Sequence, residues 1–269
     1  MTKDNRYKQI IETVFNAHYE AGVSSFEFKR EELKTAAKKL RIDLPANLGD
    51  IISSFRFRAK FPESILKRAP SGKEWQIKLN GRGQYLFVAC ENTNIEPRSE
   101  MTVTKIPDAT PSIIGKYRMD DEQALLAKLR YNRLVDVFLG IACYSLQNHL
   151  RTTVPGMGQV ETDEIYVGID KRGAHYVIPV QAKGGKDKLS MVQIEQDMRL
   201  CESKFPGLIP KPVAAQFMSD EVIALMEFER TPKGVALSSE RHYLLVPADL
   251  LSSEDIRQYA VRTMDGSVA

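Results

Sequence analysis

The chain has 269 residues and a mass of 30.4 kDa, which at ~150 residues per domain leaves room for two. With 43% hydrophobic and 27% charged residues it has a globular balance, which excludes a disordered, collagen-like or low-complexity chain. The formal charge of +3 hides an asymmetry: residues 1–90 carry 17 Lys+Arg against 10 Asp+Glu, a net of +7, and the remainder is −4, so the front half is suited to a polyanion.

No apolar run approaches the ~20 residues of a membrane-spanning helix, and Met1–Arg6 leads into a mixed polar pattern with no apolar leader core. Cys90, Cys143 and Cys201 lie far apart, without metal or redox spacing. A cytoplasmic protein with no membrane partner is the expectation.

Tyr7, Ile10, Ile11, Val14 and Phe15 recur at helical spacing, and Gly22 ends that helix. A second helix covers Arg30–Leu40, with Leu33, Ala36, Ala37 and Leu40 on one face, and Pro45 breaks the chain after it. Asn47 is a natural cap for a third helix, where Leu48, Ile51, Ile52 and Phe55 face inward and Ser53, Ser54, Arg56 and Lys60 are among the outer positions. The period then falls to two: Trp75, Ile77 and Leu79 alternate with polar residues, Asn80-Gly-Arg-Gly83 turns, and Tyr85–Ala89 returns as a strand. Residues 91–118, with Pro97, Pro107 and Pro111, read as a linker or an extended crossover.

From about 119 a second domain is expected. It starts with a long helix from Asp120 to about Leu150, broken near Gly140. Strands follow at Gly158–Val167 and His175–Lys183 around a turn at Asp170–Gly173, then a helix at about Ser190–Lys204. Further strands are expected at Pro212–Phe217, Val222–Glu229 and His242–Val246, before a last helix at Ser253–Thr263. The fold class is mixed α/β.

Three helices followed by a hairpin resemble a winged helix-turn-helix domain over 1–90. That resemblance implies duplex DNA as partner, with Ser53, Ser54, Arg56 and Arg58 near the groove and Lys78, Asn80 and Arg82 at the wing. For each arginine the alternative is a phosphate contact, the more frequent kind.

The chemistry concentrates in the second hairpin. Asp163 lies on its first strand and Gln181-Ala182-Lys183 ends its second; seventeen residues between them suffice to turn and return. Alternation puts Gln181 and Lys183 on one face, so a register opposing Asp163 to Gln181 gathers an acid, an amide oxygen and an amine. These oxygens suit magnesium, and the amine suits a developing phosphate charge. Glu161 shares the Asp163 face and competes with it.

The Asp163…Gln181-Ala-Lys183 pattern resembles the PD-(D/E)XK nuclease superfamily over roughly 119–248. The resemblance implies a restriction-endonuclease-like α/β core with a central mixed sheet over 119–269. It also implies Asp163, Gln181 and Lys183 as catalytic residues, and Mg2+ held by Asp163, Gln181 and the Ala182 backbone carbonyl. Gln181 stands where most members carry Asp or Glu, a departure that weakens metal affinity. Family members also place an acid on the preceding helix. Glu122 sits in a first turn, where the helix dipole alone explains an acid. Asp136, the only charge in Leu134–Cys143, reads as a salt bridge to Arg133 or Arg130, or as a metal ligand. Lys186 and Lys188 follow in a glycine-flanked loop and read as phosphate contacts or solvated lysines; Gln193, Glu195 and Gln196 open the next helix. No Gly-Lys-Ser/Thr loop is present, so no nucleotide cofactor is expected. The expectation is a type II restriction endonuclease acting as a homodimer. The alternatives are a nuclease for modified DNA and a DNA-binding protein without catalysis.

Overall fold

The computed structural model describes residues 3–57, 59–91, 94–117, 122–184, 189–218, 221–232 and 234–262. The fold is mixed α/β, with nine α-helices among the described residues, one three-stranded sheet and one eight-stranded mixed sheet. It divides into two compact units. The first comprises residues 1–95 together with Thr152–Val160 and Ser190–Val192; the second holds the rest.

The first unit runs α1 (Lys3–His18), β1 (Ser25–Lys29), α2 (Arg30–Leu40), α3 (Gly49–Phe57), α4 (Glu63–Leu66), β2 (Lys73–Leu79), β3 (Gln84–Glu91) and β4 (Asn94–Ile95). The expected inner faces are buried: Tyr7, Ile10, Ile11, Val14 and Phe15 of α1, Leu33, Ala36 and Ala37 of α2, and Ile51, Ile52 and Phe55 of α3. Glu32 accepts the Lys29 N–H at 2.7 Å and closes the first turn of α2. The turn between β2 and β3 needs positive φ, which Gly81 and Gly83 adopt at 116° and 71°. One strand escaped the sequence reading. Ser25-Phe-Glu-Phe-Lys29 is β1, antiparallel to β3 in the order β1-β3-β2. It is only five residues long and buries Phe28 alone, so its period-two signal is short. At the centre Phe15 lies 5.1–5.2 Å, ring to ring, from Tyr19, Phe26, Trp75 and Phe87. These edge and stacked contacts add to the area buried.

The second unit runs β5 (Val103–Pro107), α5 (Ser112–Tyr117), α6 (Glu122–Tyr131), α7 (Leu134–Leu139), β6 (Ala142–Val154), β7 (Gly158–Ile169), β8 (His175–Lys183), β9 (Leu189–Ser190), α8 (Met191–Lys204), β10 (Ile209–Pro210), β11 (Val213–Phe217), β12 (Ile223–Thr231), β13 (Gly234–Val246), a 3-10 turn (Ala248–Leu250) and α9 (Ser253–Val261). Its sheet has the order β5-β13-β12-β11-β8-β7-β6, with β10 also pairing β8. β8 is antiparallel to β7 and parallel to β11, and every residue from Tyr176 to Ala182 is buried. A strand covered on both faces reads as the continuous apolar run seen here. Pro179 has no N–H to donate to such a ladder. It falls where the parallel partner is interrupted: β10 pairs with Tyr176 and Val177, and β11 resumes at Val180.

Three expectations are corrected. The stretch 91–118 is no linker, because Val103–Pro107 forms β5 alongside β13, and Ser112–Tyr117 is helical. As an outer strand, with Val103 and Pro107 exposed, β5 shows little periodicity. The helix expected over 120–150 is instead α6, α7 and β6. Arg133 and Gly140, at φ 49° and 65°, interrupt it, and 142–154 pairs with β7, so sheet pairing overrides local helix preference. The strand expected at 242–246 begins at Gly234, because β13 returns along β12 from the Thr231↔Gly234 pair through the exposed Leu237 and Ser238, which conceal it.

Trp75 is the only tryptophan and reports on the first unit alone. Phe87→Ala is expected to cost that unit about 3–5 kcal/mol, read as a lower denaturant midpoint of tryptophan fluorescence.

Candidate active site

The site forms at the end of the β7–β8 pair, beside the start of α6. The ladder runs from Ile169↔His175 to Glu164↔Val180. Asp163 and Gln181 are the next residues of the two strands. Past that pair the Asp163 side chain takes the place of a backbone acceptor: its Oδ2 accepts the Ala182 N–H at 2.9 Å. The N–H and C=O of one strand residue face the same neighbour. The Ala182 carbonyl is therefore on the Asp163 side.

Lys183 ends β8 with its Nζ 4.0 Å from Oε1 of Glu122, the first residue of α6; its side chain is 15% exposed, so the ammonium is mostly shielded. Burial pushes the Asp163 carboxyl above the ordinary range. The Ala182 N–H and the Lys183 charge pull it down, Glu122 pushes it up, and His149 of β6 pulls it down. Asp163, Lys183, Glu122 and His149 thus share one electrostatic neighbourhood. Glu122, explained from sequence by the helix dipole alone, belongs to it. Its competitor Asp136 does not serve there: it pairs with Arg133 and accepts the Cys143 N–H at 2.9 Å, tying the end of α7 to β6. That is the salt-bridge reading of Asp136. Glu161 is held by Arg151 at 3.1 Å and sits 3.9 Å from His149.

Gln181 is 2% exposed and held on three sides. Its Nε2 donates to Asp197 Oδ2 at 2.9 Å and to the Glu161 carbonyl at 3.4 Å, and its Oε1 accepts from Gln193 at 3.4 Å. Asp197, on α8, is 1% exposed. Burial holds its carboxyl well above the usual range and the Asp163 charge adds to the rise, while hydrogen bonds from Gln181 and Thr162 and the charge of Lys183 oppose it. Sequence reasoning named Gln193, Glu195 and Gln196 on this helix and missed Asp197. Its signal was an acid one turn after Gln193, on the helix face that also carries Ile194, Met198 and Cys201, all buried.

The next acid along, Glu164, is fully buried, with Arg130 at 2.9 Å and Ser145 at 2.5 Å. Neighbouring strand residues face opposite ways, so the Asp163-Glu164 pair sends one carboxylate to the site and the other to α6.

Among the described residues no group of three or more His, Cys, Asp and Glu side chains could hold a metal. The hard oxygens of this neighbourhood are the carboxylates of Asp163 and Glu122 and the Ala182 carbonyl, with the Gln181 amide oxygen turned toward Gln193 of α8. This set of hard oxygens fits magnesium, which takes one or two carboxylates and keeps its waters, and it does not fit zinc.

In the first unit, Arg56 does not reach outward. Its Nε donates to the Ile77 carbonyl at 3.1 Å, and burial lowers its pKa to about 10. An arginine on α3 can fold back under β2, which a helical-wheel reading does not reveal. Asn80 donates to Glu27 at 2.7 Å, tying the turn to β1. Ser53, Ser54 and Lys78 are half-buried and Arg82 is exposed. Arg58, Lys186 and Lys188 lie outside the described residues. No protein-family model, curated protein or solved structure matches this chain.

The raised Asp163 carboxyl disfavours the charged form on folding, so its contribution to stability declines as pH rises from below its unfolded value through its folded one. Asp163→Asn keeps an oxygen for the Ala182 N–H and loses that penalty. Without divalent metal, its melting temperature is expected above that of the parent at pH 7, and the gap is expected to close below pH 4, near the ordinary aspartate value of ~3.9. Calorimetry across that range checks it.

Proposed function

We propose that the chain is a magnesium-dependent endonuclease that hydrolyses phosphodiester bonds of double-stranded DNA at a specific sequence, in the manner of a type II restriction endonuclease of the PD-(D/E)XK superfamily. The observation that carries the reading is the approach of Glu122, Asp163 and Lys183 at the end of the β7–β8 pair. Asp163, Glu122, Gln181 and the Ala182 carbonyl are the donors for magnesium. When bound, that ion neutralises phosphate charge and acidifies a water. Lys183, shielded and close to both carboxylates, binds a scissile phosphate oxygen and offsets the charge that grows on it during attack. Asp163, held by the Ala182 N–H, presents a fixed carboxylate to the incoming water.

The order α1-β1-α2-α3-β2-β3 and the net +7 over residues 1–90 support a winged-helix module for duplex DNA. With Arg56 folded back, Arg82 at the turn and the half-buried Ser53 and Ser54 on α3 are the groups left for contact. Cutting both strands takes two sites, so a homodimer in the cytoplasm is part of the proposal.

One observation favours a second reading. Gln181 is neutral and already hydrogen-bonded, as in a DNA-binding protein that does not cut. Incubation of unmethylated and methylated phage DNA with magnesium, or with EDTA, separates the readings. Discrete fragments that need magnesium are expected, with Lys183→Ala slowing their release about 100- to 1,000-fold while DNA binding persists. Magnesium-dependent cutting that survives Lys183→Ala would sink this site. Intact DNA of both kinds would favour the non-cutting protein.

A further inference from the structure

We infer that Asp197 is a positioning residue which sets the orientation of the Gln181 amide so that its oxygen, and not its NH2, is offered to the candidate site. The inference rests on the nuclease reading for its catalytic consequence and on hydrogen bonding alone for the orientation.

A glutamine amide has two ends of nearly equal shape and opposite polarity. Turned by 180°, Gln181 would fill the same space and present two N–H donors where a hard oxygen is needed. Sterics cannot choose between the two poses, so hydrogen-bond partners must. The Glu161 carbonyl, 3.4 Å from Nε2, can only accept. Asp197 Oδ2 accepts the stronger bond from the same nitrogen, at 2.9 Å. Both hydrogens of the NH2 group are thereby engaged, and Oε1 lies toward Gln193, whose Nε2 donates to it at 3.4 Å. An amide oxygen has two acceptor lobes, and Gln193 takes one of them.

Asp197 sits at the bottom of this arrangement. It is 1% exposed and one helical turn from Gln193, on the same face of α8. A carboxylate so deep in a protein interior is costly, and apolar packing at that position would be cheaper. The geometry gives the buried acid a service that an apolar residue could not perform, an acceptor for Gln181 and for Thr162. The acid absent from the strand position and the acid present on the helix make one pair, an amide on β8 and a carboxyl on α8.

The test exchanges the two groups. Asp197→Asn offers Gln181 a donor as well as an acceptor and leaves the weaker bond to the Glu161 carbonyl as the main brake on turning. Gln181→Glu in the same chain puts a carboxylate on β8, which shows oxygen whichever way it turns. The expected results, with magnesium and unmethylated phage DNA, are a loss of about 10- to 100-fold in cleavage for D197N and recovery in Q181E/D197N. Both melting temperatures should stay at or above that of the parent. In metal-free protein, NOEs from the Gln181 NH2 group should run to Glu161 of β7 in the parent and to the Gln193 NH2 in D197N, with the resonances assigned by their absence in Q181E/D197N. Parent-like cleavage and NOEs in D197N would overturn the inference, as would a loss that Q181E does not restore. If the parent chain cuts no DNA, the nuclease reading fails and the NOEs decide alone: a turned amide in D197N upholds the role of Asp197, and an unturned one refutes it.

Discussion

The carboxylate of Asp163 bonded to the Ala182 amide is the constraint on which the site depends. It ends the regular β7–β8 ladder and replaces a backbone acceptor by a side chain, which brings an acid to the strand edge without leaving an N–H unsatisfied. The register behind it is fixed from the opposite face. Glu164 is sealed against Arg130 and Ser145, and a one-residue slip would exchange the two carboxylates. Glu164 would then leave its guanidinium, and Asp163 would be buried without one. The cost of an unpaired buried acid, several kcal/mol, makes that slip prohibitive. Two adjacent acids with different partners therefore lock the strand pair that places Lys183 beside Glu122.

Much of this neighbourhood works against the stability of the fold. Asp163 and Asp197 are both held in surroundings that disfavour their charged forms, and the Asp163 charge makes Asp197 harder to ionise. Lys183 relieves both in part. Such frustration is typical of places where side chains are arranged for reactivity and not for packing. The apolar cluster of the second unit, built from Leu125, Leu126, Leu129, Ile178, Val180, Val213 and Leu225, supplies the compensating burial. The first unit carries its own aromatic centre around Phe15 and Phe87.

What could be read from the sequence follows from where each signal is local. The helices of the first unit, the β2–β3 hairpin and the placing of Asp163 and Gln181 on neighbouring strands all rest on short-range period and turn chemistry. β6 and the first half of β13 were hidden because their identity comes from a partner strand: most side chains of β6 are exposed, those of the first half of β13 are half-buried or exposed, and their residues state no preference of their own. The fate of single side chains was also beyond reach. Nothing in the order of residues says that Arg56 folds onto Ile77, that Asp136 caps a turn, or that an acid sixteen positions after Gln181 returns to it across a helix. Glu122 was visible, but its placement in a first turn offered a sufficient local explanation, and only the fold brought it to Lys183.

The two ends of the large sheet are unlike. At β5 the outer side is shuttered: the Lys105 N–H donates to the Tyr259 hydroxyl, the Lys105 ammonium pairs with Asp255, and Arg262 reaches Thr104. Helix α9 thus stands where a further strand would add. At β6, the other end of the strand order, most residues are exposed. A sheet that can grow at one margin only cannot propagate. The margin at β5 takes no further strand, because its backbone and its lysine are already engaged by α9.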